Sequence, residues 1–213
     1  STSTATAASD AGAVMAAPEI EAYLDFFRAA AALKDTLRSG HTAGGRPEST
    51  AEHSWRLCLM ALALEDDLTG IDLGRLLRLL VVHDLGEAIG GDIPAPALRG
   101  DKAADERADF RRLIAPLPAP AAERFLALWD EYTAAATPEA RLAKGLDRLE
   151  TVLQHTEGAN SPDFDYAFNL GYGRAHTDAH PLVAALRAPV DAETERLANL
   201  ARAVTAPEHP RAE

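Results

Sequence analysis

The stretch Leu79-Leu80-Val81-Val82-His83-Asp84-Leu85-Gly86-Glu87 places an adjacent imidazole and carboxylate at the end of an apolar helical run. Neighbours on a helix point about 100° apart, so such a pair shares one ion only when other helices close the shell around it. The pair therefore requires distant partners. His53 upstream and Asp147 downstream are the candidates, and the rest of the chain reads as the scaffold that brings them together.

Composition agrees with a helical scaffold. Hydrophobic residues make up 47% of the 213 positions and aromatics only 6%, with abundant Ala and few β-branched runs. That balance favours an all-α fold, and the length suffices for a single domain with a substantial core. Lys and Arg number 21 against 33 Asp and Glu, a formal charge of −12. An acidic surface argues against a nucleic acid polymer or an anionic membrane as partner, but a small anionic substrate needs only one or two placed cations. Cys58 is the single cysteine, which fits a reducing, cytoplasmic compartment. No run of 18 apolar residues exists to span a membrane. The opening STSTATAASDAGAVMAA has no basic n-region and reads as a disordered tail over 1–17, with the domain over 18–205 and a loose tail over 206–213.

Helical spacing of Ile20, Tyr23, Leu24, Phe27 and Leu33 predicts a first helix from Pro18 to Arg38. A glycine-rich loop, Ser39 to Pro47, follows. A second helix starts near Ser49 or Thr50, with His53 in its first turns. The third, from about Asp72 to Leu85, is apolar on most sides and is expected to be the central buried helix. Further helices are expected over 102–114, 119–135, 138–156, 182–186 and 191–204, and no segment reads as a sheet. Asp147 falls mid-helix among Leu142, Leu146, Leu149 and Val152.

His53, His83, Asp84 and Asp147 offer two nitrogen and two oxygen donors, a set suited to borderline and hard divalent ions and unlike a structural zinc cluster. Four protein ligands on a six-coordinate ion leave positions for water and a substrate oxygen; the ion would acidify the one and polarise the other. Each residue alone has a plainer reading. His53 could be a packed histidine, and Asp147 could pair with Arg148 or Arg141. Together, the cost of burying unpaired carboxylates favours a shared cation.

On these residues the chain resembles the HD-domain metal-dependent phosphohydrolases. The strings RPESTAEHSWRLCLMALAL (46–64), LLVVHDLGEAIGGDIPAP (79–96) and ARLAKGLDRLETVLQ (140–154), in that order, are similar to those of the HD-domain 5′-deoxynucleotidases, which remove phosphate from nucleoside 5′-monophosphates. The similarity runs from about Ala22 to Leu197. The resemblance implies an HD-type helical bundle in which His53, His83, Asp84 and Asp147 hold the metal. Glu87 would be the acid-base residue, with Asp84 helping to orient water. Arg38 would grip phosphate, Asp92 would contact the sugar hydroxyl, and Ile93, Pro94 and Ala95 would line the sugar side. Arg46 and His41, which flank the loop into His53, are further phosphate-binding candidates. Relatives commonly carry Trp beside the phosphate-gripping Arg. Here His41 follows, so that aromatic contact is either absent or replaced by imidazole. Ala95 also stands where many relatives have a hydroxyl.

Alternatives remain for several of these positions. Glu87 could be a solvated carboxylate at a helix end, Asp92 could cap the Gly90-Gly91 loop, and the two together could hold a second ion. Arg38 and Arg46 could each be surface arginines. His176 and His180 stand four apart, but Pro181 follows at once and a metal role is not expected. His155 reads as packing or interface.

The expected activity is metal-dependent hydrolysis of a (deoxy)nucleoside 5′-monophosphate with Mn, Co, Mg, Fe or Zn. The rivals are a phosphatase of another small phosphate ester and a catalytically silent nucleotide-binding module. A two-iron oxygenase would need further His ligands between the His-Asp pair and the last Asp, and none occurs from Leu85 to Leu146. The resemblance also implies a homodimer.

Overall fold

The computed structural model describes residues 15–92 and 102–205. Helices α1 (Ala17–Ala30), α2 (Thr50–Ala63), α3 (Leu73–Val82), α4 (Glu87–Gly90), α5 (Lys102–Ile114), α6 (Ala119–Ala134), α7 (Pro138–Glu157), α8 (Tyr166–Gly171), α9 (Arg174–Thr177) and α10 (Pro181–Thr205) form an all-α domain. The strands β1 (Leu37–His41) and β2 (Pro47–Ser49) pair antiparallel between α1 and α2. No helix among the described residues is long and apolar enough to cross a membrane.

Several starts follow local chemistry. Ser49 caps α2 reciprocally: its hydroxyl accepts the Glu52 N–H, and the Glu52 carboxylate accepts the Ser49 N–H. Asp72 caps α3 through the Arg75 N–H, and Thr137 caps α7 ahead of Pro138.

Three departures from the sequence reading matter. The first helix ends at Ala30, tightens into a 3₁₀ turn over Ala31–Lys34, and gives way to β1. The Thr36 carbonyl accepts the Thr50 N–H at 2.9 Å, a long-range bond that turns the chain and puts Arg38 on a strand rather than at a helix end. Second, α3 is not the central helix. It buries Leu76, Leu79, Leu80 and Val82, but Val81 is 49% exposed. The most enclosed helix is α7, which packs against α2, α3, α6, α9 and α10 and buries Leu142, Leu146, Leu149 and Val152. Third, Pro189 does not divide the last helix. Arg187 and Asp191 bridge it at 2.6 Å, four residues apart, and Arg187 is fully buried, donating also to the carbonyls of Asn169 and Tyr172. Tertiary bonds thus outweigh the local cost of proline.

The apolar interior has two parts. One gathers Leu57, Leu76, Leu79, Leu80, Leu142 and Leu146 between α2, α3 and α7. The other gathers Phe26, Leu85, Phe110, Leu113 and Trp129 between α1, α5 and α6. The His-Asp pair sits where they meet, so a rigid wall stands on either side of it.

Candidate metal centre

Helix α3 stops at Val82, and His83 still bonds back in helical fashion, its N–H to the Leu79 carbonyl at 3.0 Å. The chain then tightens: Leu85 N–H bonds the Val82 carbonyl and Glu87 N–H bonds the Asp84 carbonyl at 3.0 Å. Side chains three apart eclipse in such a turn, so Asp84 and Glu87 face the same cavity.

His53 comes from the first turns of α2 and Asp147 from the middle of α7. The His53 Nε2 atom lies 3.3 Å from Asp147 Oδ1 and 3.8 Å from Asp84 Oδ2, and His83 Nε2 lies 2.9 Å from Asp84 Oδ2. One donor atom each from His53, His83 and Asp84 lies within 4.8 Å of the others. Three of the four expected donors thus form one metal-capable group, and Asp147 adjoins it through His53.

Their chemistry fits a divalent cation. Both Nε2 atoms are buried and, among the described residues, neither makes a hydrogen bond. Buried polar atoms are rarely left so, and two imidazole lone pairs facing two carboxylates are satisfied together by one cation. The other ring nitrogens are occupied. Nδ1 of His83 meets the Leu80 carbonyl at 2.8 Å, and Nδ1 of His53 is in close contact with the Glu150 carboxylate. Each contact fixes the tautomer that leaves Nε2 available.

Burial opposes charge on every member, and the neighbours decide the outcome. For His53, burial and Arg38 lower the imidazole pKa, but Glu150 and Asp147 outweigh them and carry it up to about 10. A proton and a divalent ion thus compete for the same nitrogen. Burial works against ionised Asp84 too, yet His83 beside it brings its pKa down to about 2. Asp147 is also held below the usual carboxylate range, against burial, by Arg148 and His53. The Tyr132 hydroxyl donates to Asp147 Oδ2 at 2.6 Å and orients it. Arg148 lies 3.6 Å from Asp147, as the plainer reading allowed, while Arg141 turns away to the Ala136 carbonyl.

In front of the donors opens a cavity of about 370 Å³. Arg38 enters it from β1, with Nη1 3.6 Å from Asp84. Glu87 and Asp92 also line it. Glu87 Oε2 accepts the Thr50 hydroxyl at 2.8 Å. Burial, Asp84 and Asp92 push the Glu87 carboxyl up to about 9, so in this arrangement of charges it keeps a proton at neutral pH. Helix α6 adds Trp129 and Tyr132, and Lys144, Arg148 and Tyr172 close the far wall. Gly173 permits that closure. Its φ is +68°, and a Cβ there would come within 2.6 Å of the Arg148 side chain.

Not every candidate reaches the cavity. His41 is half-buried and does not line it; its N–H donates to Asn160 and its carbonyl accepts from Gln154. Behind it Gly158 is obligatory, because a Cβ there would lie 2.1 Å from the His41 carbonyl oxygen. Arg46 is on the surface and paired with Glu52. Ile93, Pro94 and Ala95 lie outside the described residues. His176 and His180 join neither metal-capable group among the described residues, and His155 is buried against Phe164 and Asn169.

Sequence reasoning missed the layer behind. Glu150 is fully buried under His53, and Glu48 is buried beside Arg38, 3.3 Å from its Nε. Burial and the nearby Glu150 raise the Glu48 carboxyl to about 7. The spacing of Asp147 and Glu150, three apart on one helix, was the available signal. Tyr132 and Thr50 carried none. Glu150→Ala is expected to weaken divalent-ion binding by roughly 10–100-fold, measured by titration calorimetry with Mn²⁺. Unchanged affinity would remove Glu150 from the design of the site.

A helical domain that gathers two imidazoles and two carboxylates beside a cavity shared by three cations and several carboxylates has the construction of an HD domain, and residues 30–187 match the HD domain family model. The chain belongs to that family, which with the donor set implies a divalent metal. Its relatives include the 5′-deoxynucleotidase HDDC2 of Bos taurus, 33% identical over 86% of this chain and 90% of the relative. The 5′-deoxynucleotidase HDDC2 of Dictyostelium discoideum is 30% identical over 66% of this chain and 79% of the relative. A crystal structure from Magnetospirillum magnetotacticum MS-1, described as a predicted metal-dependent phosphohydrolase, superimposes with a TM-score of 0.70 at 33% identity, over 85% of this chain and 98% of that one.

Proposed function

We propose that the protein is a metal-dependent phosphomonoesterase acting on nucleoside 5′-monophosphates, deoxy ones foremost. The observation that carries the reading is the pair of buried, unbonded imidazole Nε2 atoms beside Asp84 and Asp147, opening into a cavity with three cations on its walls. The names of the relatives supply the substrate class.

His53, His83, Asp84 and Asp147 would hold the ion, one of Mn, Co, Mg, Fe or Zn. When bound, it supplies Lewis acidity toward a phosphoryl group and a lowered pKa for water. Arg38, preset by Glu48 and Asp84, holds phosphate oxygens in the plane where charge builds up. Asp84 orients the attacking water. Glu87, held by Thr50, carries the proton that the leaving 5′-oxygen takes. Asp92 meets the sugar; its place in the cavity lining with Glu87 also admits the alternative of a second ion shared by the two. A cytoplasmic homodimer completes the reading, supported by the exposed stripe Trp55, Leu59 and Leu62 along α2.

The test is phosphate release from a panel of deoxynucleoside and nucleoside 5′-monophosphates and unrelated phosphate esters, with Mn, Co, Mg and chelator arms. Metal-dependent release favouring the deoxy substrates is expected. Turnover confined to non-nucleotide esters would select the other phosphatase reading, and metal-independent release would overturn the site.

A further inference from the structure

Three cations line the cavity, and their surroundings differ. The Arg38 guanidinium is engaged by Glu48 at 3.3 Å and by Asp84 at 3.6 Å, and it donates to the Thr151 hydroxyl at 3.1 Å. Arg148 donates to the Tyr172 hydroxyl at 2.5 Å and lies 3.6 Å from Asp147. Lys144 has no comparable partner. Among the described residues its ammonium makes no ion pair and no hydrogen bond, and it rests over the Tyr132 ring, 4.2 Å from the centroid. The carboxylates of Asp147, Asp84 and Glu106 act on it only at longer range, while burial disfavours its charge.

An ammonium carries three N–H donors and no acceptor, and a ring face satisfies none of them well. Lys144 stands one turn before Asp147 on α7, so both project toward the cavity. The ring beneath it is fixed, because the Tyr132 hydroxyl is bound to Asp147. The chain thus holds a half-buried cation with no ion pair or hydrogen bond to the described residues beside the candidate metal donors, on a stem flexible enough to follow a moving group. A phosphate monoester dianion entering here also meets the acidic residues of the lining, Asp105, Glu106 and Asp109 as well as Asp84, Glu87, Asp92 and Asp147, and the two arginines are already partly neutralised. The charge balance leaves Lys144 to receive it.

We propose that Lys144 is a substrate-binding residue that grips a non-bridging phosphate oxygen from α7, in the cavity that Arg38 also lines. The proposal rests on the phosphatase reading above and adds a residue to it. Lys144→Met keeps the apolar stem over the Tyr132 ring and removes the charge. In the metal-loaded enzyme it is expected to raise KM and the Ki of inorganic phosphate together by about tenfold or more, the size of a lost charge-assisted hydrogen bond. The fall in kcat should be smaller, Mn²⁺ affinity should be unchanged, and Lys144→Arg should recover most of the phosphate affinity.

Unchanged KM and phosphate Ki in a folded Lys144→Met protein would overturn the proposal. So would a parallel loss of Mn²⁺, which would make Lys144 a support of the metal donors. Calorimetric binding of inorganic phosphate to the Mn²⁺-loaded wild type and Lys144→Met proteins separates this idea from its parent reading. Weaker phosphate binding by the variant would support Lys144 even if no monophosphate were turned over, and equal binding would refute it whatever the turnover.

Discussion

His83→Ala is expected to lose bound metal and catalytic turnover together. His83 is nearly fully buried, its Nδ1 is fixed by the Leu80 carbonyl, and its free Nε2 lies 2.9 Å from Asp84. Removing the ring deletes one of two nitrogen donors. It also leaves Asp84 and Asp147 facing each other with less positive charge to share. The loss of affinity should exceed about a hundredfold, since disturbing only the outer partners of such ligands already costs roughly 10–100-fold. Metal content after dialysis against excess Mn²⁺ and turnover of a deoxynucleoside monophosphate are the two measurements. An alanine variant with full metal and full turnover would dispose of the four-donor site.

Glu87→Gln should separate the same two quantities. Glu87 is off the donor set, and the Thr50 hydroxyl can still donate to an amide oxygen, so the side chain should stay in place. What it loses is the exchangeable proton. Metal content should hold while kcat falls by roughly 10²–10⁴, the usual worth of a positioned acid or base. KM should move little, because Arg38 and the α7 wall are untouched. If the variant loses metal instead, Glu87 belongs to a second ion shared with Asp92. If kcat is unchanged, Glu87 is not the proton carrier.

The two variants divide the site along a physical line. On the proposed reading the deep donors are His53, His83 and Asp147, which lie on or at the ends of core helices and would bind the cation. Glu87 and Asp92, on α4 and just after it, line the cavity and on the same reading would handle protons and substrate. Gly91, with φ +76°, ends α4 just ahead of Asp92. The tight turn at Asp84 to Glu87 lets one stretch of chain serve both.

The sequence alone determined the helical class, the starts of α2, α3 and α7, and the candidate donors His53, His83, Asp84 and Asp147. These are local or periodic signals: caps read out within one turn, apolar spacing reads out over three, and a buried carboxylate without a near partner advertises a distant one. Only the tertiary structure decided the rest. Arg38 reaches the cavity because Thr36 is captured by Thr50, fourteen residues on, which turns an expected helix into a strand. Glu150 lies under His53, and Tyr132 on Asp147, because α2, α6 and α7 pack at particular rotations that periodicity leaves free. Pro189 stays inside a helix because Arg187 finds buried acceptors on a different segment. In each case the deciding bond joins residues far apart in the chain, and its free energy exceeds the local preference that a sequence displays.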